Sequence, residues 1–278
     1  MVHANLTDFT YGWGKQQDFC QTGSLYDEYG AFNYMIIADG HGKGDIVSVL
    51  KNNDFPWRDV LLQTTSTLIG QTIINYLIYY GVLNRSTYDG TTISIAKIYS
   101  SFIHLVWLGD SKIQVFIDKN SNFLTPPHNG TNENEVANFN SNGCYLKDSW
   151  DFKQTDSKKL LKVKTKRVVI DNNENTSLTR CLGHNRILNE EFQEQFINFT
   201  QNNKVDLVAA TDGFWDVAGI PKDYPNMIAE NTTARDLCKL AVKRWKQSWI
   251  YYPENERPYT QTFPRTSYDD IAVAVWHN

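Results

Sequence analysis

Apolar positions in this chain fall mostly into short runs bounded by Gly, Asp, Asn or Ser, a spacing that predicts strands. The run Met35-Ile36-Ile37-Ala38 ends in Asp39-Gly40-His41-Gly42. Residues 91–99, 102–108 and 113–117 are rich in Ile, Val, Phe and Tyr. Only Ser100-Ser101 and Gly109-Asp110-Ser111 separate them, so they read as an antiparallel meander. Strands are also predicted over 163–170, 205–210 and 271–276. Helical spacing appears in three places. Residues 57–80 place Leu61, Leu68, Ile74, Leu77 and Ile78 on an apolar face. Residues 188–199 space Phe192, Phe196 and Ile197 for one face. Residues 233–249 align Leu237, Leu240, Ala241 and Trp245, with Thr232 or Thr233 as the cap. The stretch 120–157, rich in Asn, Gly, Ser and Asp and containing Pro126-Pro127, reads as loop. Many strands, long helices and no regular βαβ alternation predict an α+β layered fold.

Composition narrows the class. The 278 residues suit one large domain or two small ones, and 41% hydrophobic with 21% charged residues fits a soluble globular chain. A net charge of −4 without a basic block argues against nucleic acid or an anionic membrane as partner. No apolar run approaches the ~20 residues that span a bilayer. The N-terminal residues lack the apolar core of a secretory signal. Cys20, Cys144, Cys181 and Cys238 form no CxxC pair, which argues against a zinc site or a disulfide framework. A reducing, intracellular location, cytoplasmic or nuclear, is therefore expected, with a monomer as the default state.

Acids recur at the ends of predicted strands. Asp39 follows 35–38, Asp110 follows 105–108, Asp212 follows 207–210, Asp269-Asp270 precede 271–275, and Asp18 follows Gln17 at the chain's first turn. Each alone fits an ordinary turn, since Asp-Gly is a frequent hairpin pair and Gly-Asp-Ser a frequent loop. If the ends converge, carboxylates about 5 Å apart repel by roughly 3 kcal/mol per pair at an effective dielectric near 20. Such a cluster is stable only with cations or shared protons. Oxygen ligands without Cys select hard ions, Mg²⁺ or Mn²⁺.

Seven blocks then occur in order: Asp39-Gly40-His41-Gly42, Gly90-Thr91-Thr92, Gly109-Asp110-Ser111-Lys112, Leu124-Thr125, Thr179-Arg180-Cys181-Leu182-Gly183, Asp212-Gly213-Phe214-Trp215-Asp216-Val217 and Ser267-Tyr268-Asp269-Asp270-Ile271. Together they resemble the type 2C metal-dependent protein serine/threonine phosphatases, over nearly the whole chain. The resemblance implies one domain over 1–278, folded as a four-layer αββα sandwich of two antiparallel sheets flanked by helices. It implies two Mg²⁺ or Mn²⁺ ions and a third, weaker position. Asp18 and Asp39 are then first acids of the metal site, with Asp39 bridging and Gly40 giving its carbonyl. Asp212 and Asp269 complete the pair, and Asp110 and Asp216 join Asp212 at the third position. A hydroxide between the metals attacks a phosphoserine or phosphothreonine ester of a phosphoprotein substrate, and His41 protonates the leaving alkoxide.

Three positions depart from the family pattern. Trp13 stands where an arginine usually grips the substrate phosphate, and Lys15 nearby is a point charge rather than a bidentate fork. His184 replaces the Asp that normally closes the Arg-x-Leu-Gly block, for which a structural effect is expected. Asp270 replaces an Asn and is expected to face solvent. Pro127-His128 matches a family Asp-His only loosely. These departures motivate an alternative, a weak or inactive pseudophosphatase serving as a protein-binding module. The full acid set argues against that. A phosphatase acting on a small phosphoester is a third reading.

Overall fold

A computed structural model describes residues 5–13, 16–83, 89–139, 144–170, 174–184, 188–253 and 256–278. Along the chain run β1 (Asn5–Tyr11), β2 (Asp18–Asp27), β3 (Gly30–His41), α1 (Asp45–Leu50), α2 (Trp57–Leu61), α3 (Ser66–Tyr79), β4 (Gly90–Thr91), β5 (Ile93–Ile98), β6 (Phe102–Leu108), β7 (Lys112–Ile117) and β8 (Asn120–Leu124). There follow α4 (Glu133–Ala137), β9 (Tyr145–Asp156), β10 (Lys159–Ile170), β11 (Glu174–Thr176), β12 (Leu182–Gly183), β13 (Gln193–Asn198) and β14 (Val205–Ala210). The chain closes with α5 (Asp212–Ala218), α6 (Tyr224–Met227), α7 (Ala234–Trp245), β15 (Ser248–Tyr252), β16 (Tyr259–Thr262) and β17 (Ile271–His277).

Strand parity builds the layers. One sheet runs β12-β4-β3-β5-β6-β13, with β2 also on β3, and a second runs β1-β17-β14-β7-β8. On β3, Met35 and Ile37 point between the sheets, while Ile36 and Ala38 point outward onto α1, α2 and α3. On β17, Ala272, Ala274 and Trp276 face the first sheet, and Ile271, Val273 and Val275 face α5 and α7. Both faces of each central strand are thus covered, and β17 is buried along its whole length. Each fully buried Val, Ile or Leu contributes about 1.5–3 kcal/mol. This is the expected four-layer αββα sandwich. A third, smaller sheet, β11-β10-β15-β16 with β9 on β10, stands beside it.

Several elements differ from the pattern reading. The first two strands of the expected meander pair as β5 and β6, but β7 does not continue it. The chain crosses at Gly109-Asp110-Ser111 into the other sheet, where β7 pairs β14 and β8. The long helix over 57–80 is two helices, because Thr65 caps a new start by accepting the Leu68 N–H. The predicted loop 120–157 contains β8, α4 and β9. The predicted helix over 188–199 is strand β13 on the edge of β6. Its Phe196 stays half exposed and stacks on His104, so its apolar spacing mimicked a helix by coincidence. Helix α7 ends at Trp245, after which β15 begins. Thr233 caps it in a reciprocal box with Asp236. Thr233→Ala should lower stability by about 1 kcal/mol, read as a shift in the urea midpoint at unchanged slope.

Candidate metal and phosphoryl-transfer site

The predicted acids meet at one end of the sandwich. Asp18 opens β2 and lies directly opposite Asp39 in the β2–β3 ladder, rather than in a turn. Asp39, Gly40 and His41 are the last three residues of β3. The strand continues through them, and the turn falls at Gly42-Lys43-Gly44 instead. Period two puts Asp39 and His41 on the face that looks toward the second sheet. Asp39 is held by its backbone: its carbonyl accepts from Thr92 N (2.9 Å) and Thr91 Oγ1 (2.9 Å), and its N–H donates to Thr92 Oγ1 (3.2 Å). Gly40 has no room for a side chain. A Cβ there would lie 2.9 Å from both Gln17 O and Val47 Cβ.

The other acids arrive from the second sheet. Asp212 opens α5 at the tip of β14, and Asp216 follows one turn later. Asp110 sits on the crossover and accepts from Asn129 Nδ2 at 3.0 Å. Asp269 immediately precedes Asp270 and β17, and Gly213 passes so close beneath that a Cβ would lie 1.9 Å from the Asp270 carbonyl. Asp18 accepts from Thr211 Oγ1 (2.7 Å), which itself accepts from Ala272 N (3.0 Å), tying β2, β14 and β17 together.

The electrostatics are those of crowded acids. Burial, Asp212 and Asp270 push Asp18 up to about 8, against the hydroxyl of Thr211. Burial and then Asp212, Asp18 and Asp269 hold Asp39 well above the carboxylate range. Asp269 stands nearer solvent, yet loss of water around its carboxyl and the charges of Asp212, Asp18 and Asp216 bring it to about 9. Asp110 reaches about 6 for the same two reasons. Oδ1 of Asp212 is buried without a hydrogen-bond partner. An unpartnered acceptor among mutually repelling carboxyls is a donor set made for hard cations, so the residues fit the metal pair.

Several residues at this site carried no signal in the pattern. Asp270 does not face solvent. Its carboxylate accepts from Trp13 N (2.7 Å) and Gln17 N (2.9 Å), tying both residues to the approach to β17. Trp13 turns away, edge-on to Tyr11 and Tyr268 at 5.0 and 4.6 Å, with Lys246 over its ring. It packs against the α7 layer and leaves no grip for a phosphate. Lys15 lies outside the described residues. Lys51, just past α1, supplies a cation instead. It donates to the Gln16 carbonyl, interacts with Asp18 and Asp270, and lines with them a cavity of about 270 Å³. His128 is buried, and its Nδ1 accepts from Gly109 N at 3.1 Å while its own N–H donates to the Gly109 carbonyl, bracing the turn that carries Asp110.

His41 is half-buried. Its Nε2 lies 2.6 Å from Nε2 of His184, and burial followed by His184 pushes its pKa down to about 3. The effect of His184 thus reaches a candidate catalytic group and is more than structural.

A two-sheet sandwich with helices outside and an acid cluster at one end defines the class of metal-dependent phosphatases. The protein phosphatase 2C family model matches residues 37–247, and the chain belongs to that family of metal-dependent protein serine/threonine phosphatases, whose members act on phosphoproteins. Its fold is similar to a serine-threonine phosphatase 2C from Toxoplasma gondii (TM-score 0.60, 12% identity, 99% of this chain and 94% of that one). It is similar to a sex determining protein of C. elegans (TM-score 0.57, 15% identity), covering all of this chain and 65% of that protein's length. A serine/threonine phosphatase of Mycobacterium tuberculosis matches with TM-score 0.53 and 13% identity over 99% of this chain and 98% of that one. No curated protein matches the sequence. Among the described residues no helix is long and apolar enough to cross a membrane.

Proposed function

We propose that this single-domain chain hydrolyses phosphoserine and phosphothreonine esters of proteins with two Mg²⁺ or Mn²⁺ ions. The observation that carries the reading is that Asp18, Asp39 and Asp269 all stand near enough to Asp212 to feel its charge, while Oδ1 of Asp212 is buried without a hydrogen-bond partner. Asp39, the Gly40 carbonyl, Asp212 and Asp269 would hold the metals with Asp18, and Asp110 and Asp216 would hold a third ion. Such a pair supplies an activated water and neutralises phosphoryl charge when bound. The chain's own groups do the rest. The Thr211 hydroxyl fixes Asp18, the Thr91 and Thr92 hydroxyls with the Thr92 N–H fix the backbone of Asp39, and Lys51 attracts the phosphate. His41 protonates the leaving alkoxide, which requires it to part from His184 and gain a proton. The charge of an arriving phosphoryl dianion favours that proton.

The test is phosphate release from a phosphothreonine peptide. Turnover should need Mn²⁺ and stop on chelation. Lys51→Met should raise KM about tenfold with little change in kcat, since it removes attraction and not chemistry. Manganese binding by calorimetry without any turnover would overturn the catalytic reading. It would favour the pseudophosphatase, which the packing of half-buried Trp13 against Tyr11 and Tyr268 supports.

A further inference from the structure

The β3-β4-β12 ladder at the end of the first sheet assembles residues that the sequence keeps far apart. His41 ends β3, Gly90 faces it from β4, and Gly183 of β12 faces Gly90 in turn. Cys181 and His184 flank β12 on either side. The ligand atoms of His41, Cys181 and His184 all lie within 4.8 Å of one another. Gly90 makes this possible, because a Cβ there would lie 2.4 Å from His41 Nε2 and 2.9 Å from His184 Cδ2. Gly183 and His184 take consecutive left-handed conformations (φ +102° and +51°), which turn the His184 ring back over the ladder.

We infer that His41, Cys181 and His184 form a second metal site, selective for Zn²⁺ over Mg²⁺ and Mn²⁺, and that Zn²⁺ bound there inhibits the enzyme by occupying His41. Two imidazoles and a thiol are the borderline-soft set that Zn²⁺ takes, whereas the neighbouring carboxylates offer only oxygen. With Zn–N near 2.0–2.1 Å and Zn–S near 2.3 Å, tetrahedral ligands stand about 3.3–3.6 Å apart. The two ring nitrogens, now 2.6 Å apart, must open by about 0.7 Å, and the sulfur must move in by up to about 1.2 Å. Coordination replaces the proton between the rings and the thiol proton, and both leave to solvent. Cys181 and His184 are buried, so the metal reaches the site past the half-buried His41, leaving the fourth position toward the cleft. The site itself stands on this geometry. Its inhibitory effect rests on His41 as proton donor.

Co²⁺ titrated into the full chain should give a near-ultraviolet thiolate-to-cobalt charge-transfer band. Cys181→Ala should abolish the band, and His184→Asn, which tolerates the left-handed backbone, should weaken it. Cys181→Ala should keep Mn²⁺-dependent phosphate release. Low micromolar Zn²⁺ should reduce that release about tenfold or more in the parent chain, by taking up its general acid, and much less in Cys181→Ala. No band in the parent, or a band that survives Cys181→Ala, overturns the site. A band with undiminished turnover under Zn²⁺ overturns the inhibition. A chain without any turnover fails the phosphatase reading alone, and the cobalt band then decides the site by itself.

Discussion

Asp39→Asn should lower Mn²⁺-dependent phosphate release by more than about 100-fold, beyond the usual loss for a residue that only supports a metal ligand, and should raise the melting temperature of the metal-free protein. The two signs come from one cause. Asp39 stands half-buried at the end of β3 near Asp212, Asp18 and Asp269, so its acidity is suppressed by lost hydration and by three neighbouring acids. An amide of the same shape keeps the β3 backbone bonds to Thr91 and Thr92 and can donate to Asp212, but it adds no charge. Relieving a strained functional site commonly yields about 0.5–2 kcal/mol, or a few degrees in a chain of this size. The same change removes a carboxylate that would hold the metal pair. A variant that is merely misfolded would lose both activity and melting temperature. Melting of both chains under chelator, with turnover measured in parallel, separates the cases. Unchanged turnover would remove Asp39 from the metal site.

How much of this was legible beforehand depended on the range of the interactions. The core strands β3, β5, β6, β14 and β17 were readable because continuous apolar runs are needed wherever both faces of a sheet are covered. The acids were readable because they stand where those runs stop. Edge elements were not. β13 has one covered face and few apolar residues, and Phe192, Phe196 and Ile197 share the spacing of a helix face although only Ile197 packs between the sheets. β9 is largely exposed, and its polar sequence resembles a loop. The crossing of Asp110 between sheets was hidden because a short Gly-Asp-Ser turn can close a hairpin or change layers. It changes layers here because Gly109 (φ +99°) and His128 hold it open.

Residues that act through distant partners were also hidden. Asp270 looked like a solvent-facing neighbour of Asp269, and only the fold brings the Trp13 and Gln17 amides to it, more than 250 positions away in the chain. Cys181 lacks a nearby cysteine, so spacing argued against metal binding. Its candidate partners come from β3 and from beyond β12. The site is therefore best understood as two donor sets side by side, oxygen from the sheet tips and nitrogen with sulfur from the β3-β4-β12 ladder. His41 stands between them.

The metal-free protein should lose stability as pH rises from 7 to 8.5, and saturating Mn²⁺ should cancel that loss. A carboxyl whose pKa is higher in the folded chain binds its proton more tightly there. Its contribution is complete below the unfolded value near 3.8 and disappears as pH rises through the folded value. Asp18 at about 8 is still losing it in this window; exposed Asp269, brought to about 9, adds a smaller share because solvent screens it, and Asp110 at about 6 has already lost its own. His41 works in the opposite direction. Its folded pKa of about 3 gives stability that is present above the unfolded value near 6.5 and lost as pH falls toward the folded one, so it is nearly silent above pH 7. The thiol of half-buried Cys20, raised from 9.0 to about 12, and that of buried Cys238, also raised by loss of water, share the sign of the acids but contribute mainly above this range. Lys97, lowered by burial, opposes them without touching the metal site. The informative quantity is thus the difference between Mn²⁺ and chelator at each pH. Each tenfold change in proton affinity realised in the fold carries about 1.4 kcal/mol, or about 4 °C of melting temperature for a chain of this size. The Mn²⁺-induced increase should therefore grow by several degrees across the window, and Asp39→Asn should flatten it. An increase that is constant with pH would mean that the acids are already paired in the metal-free chain, and the crowding on which the metal site was argued would be absent.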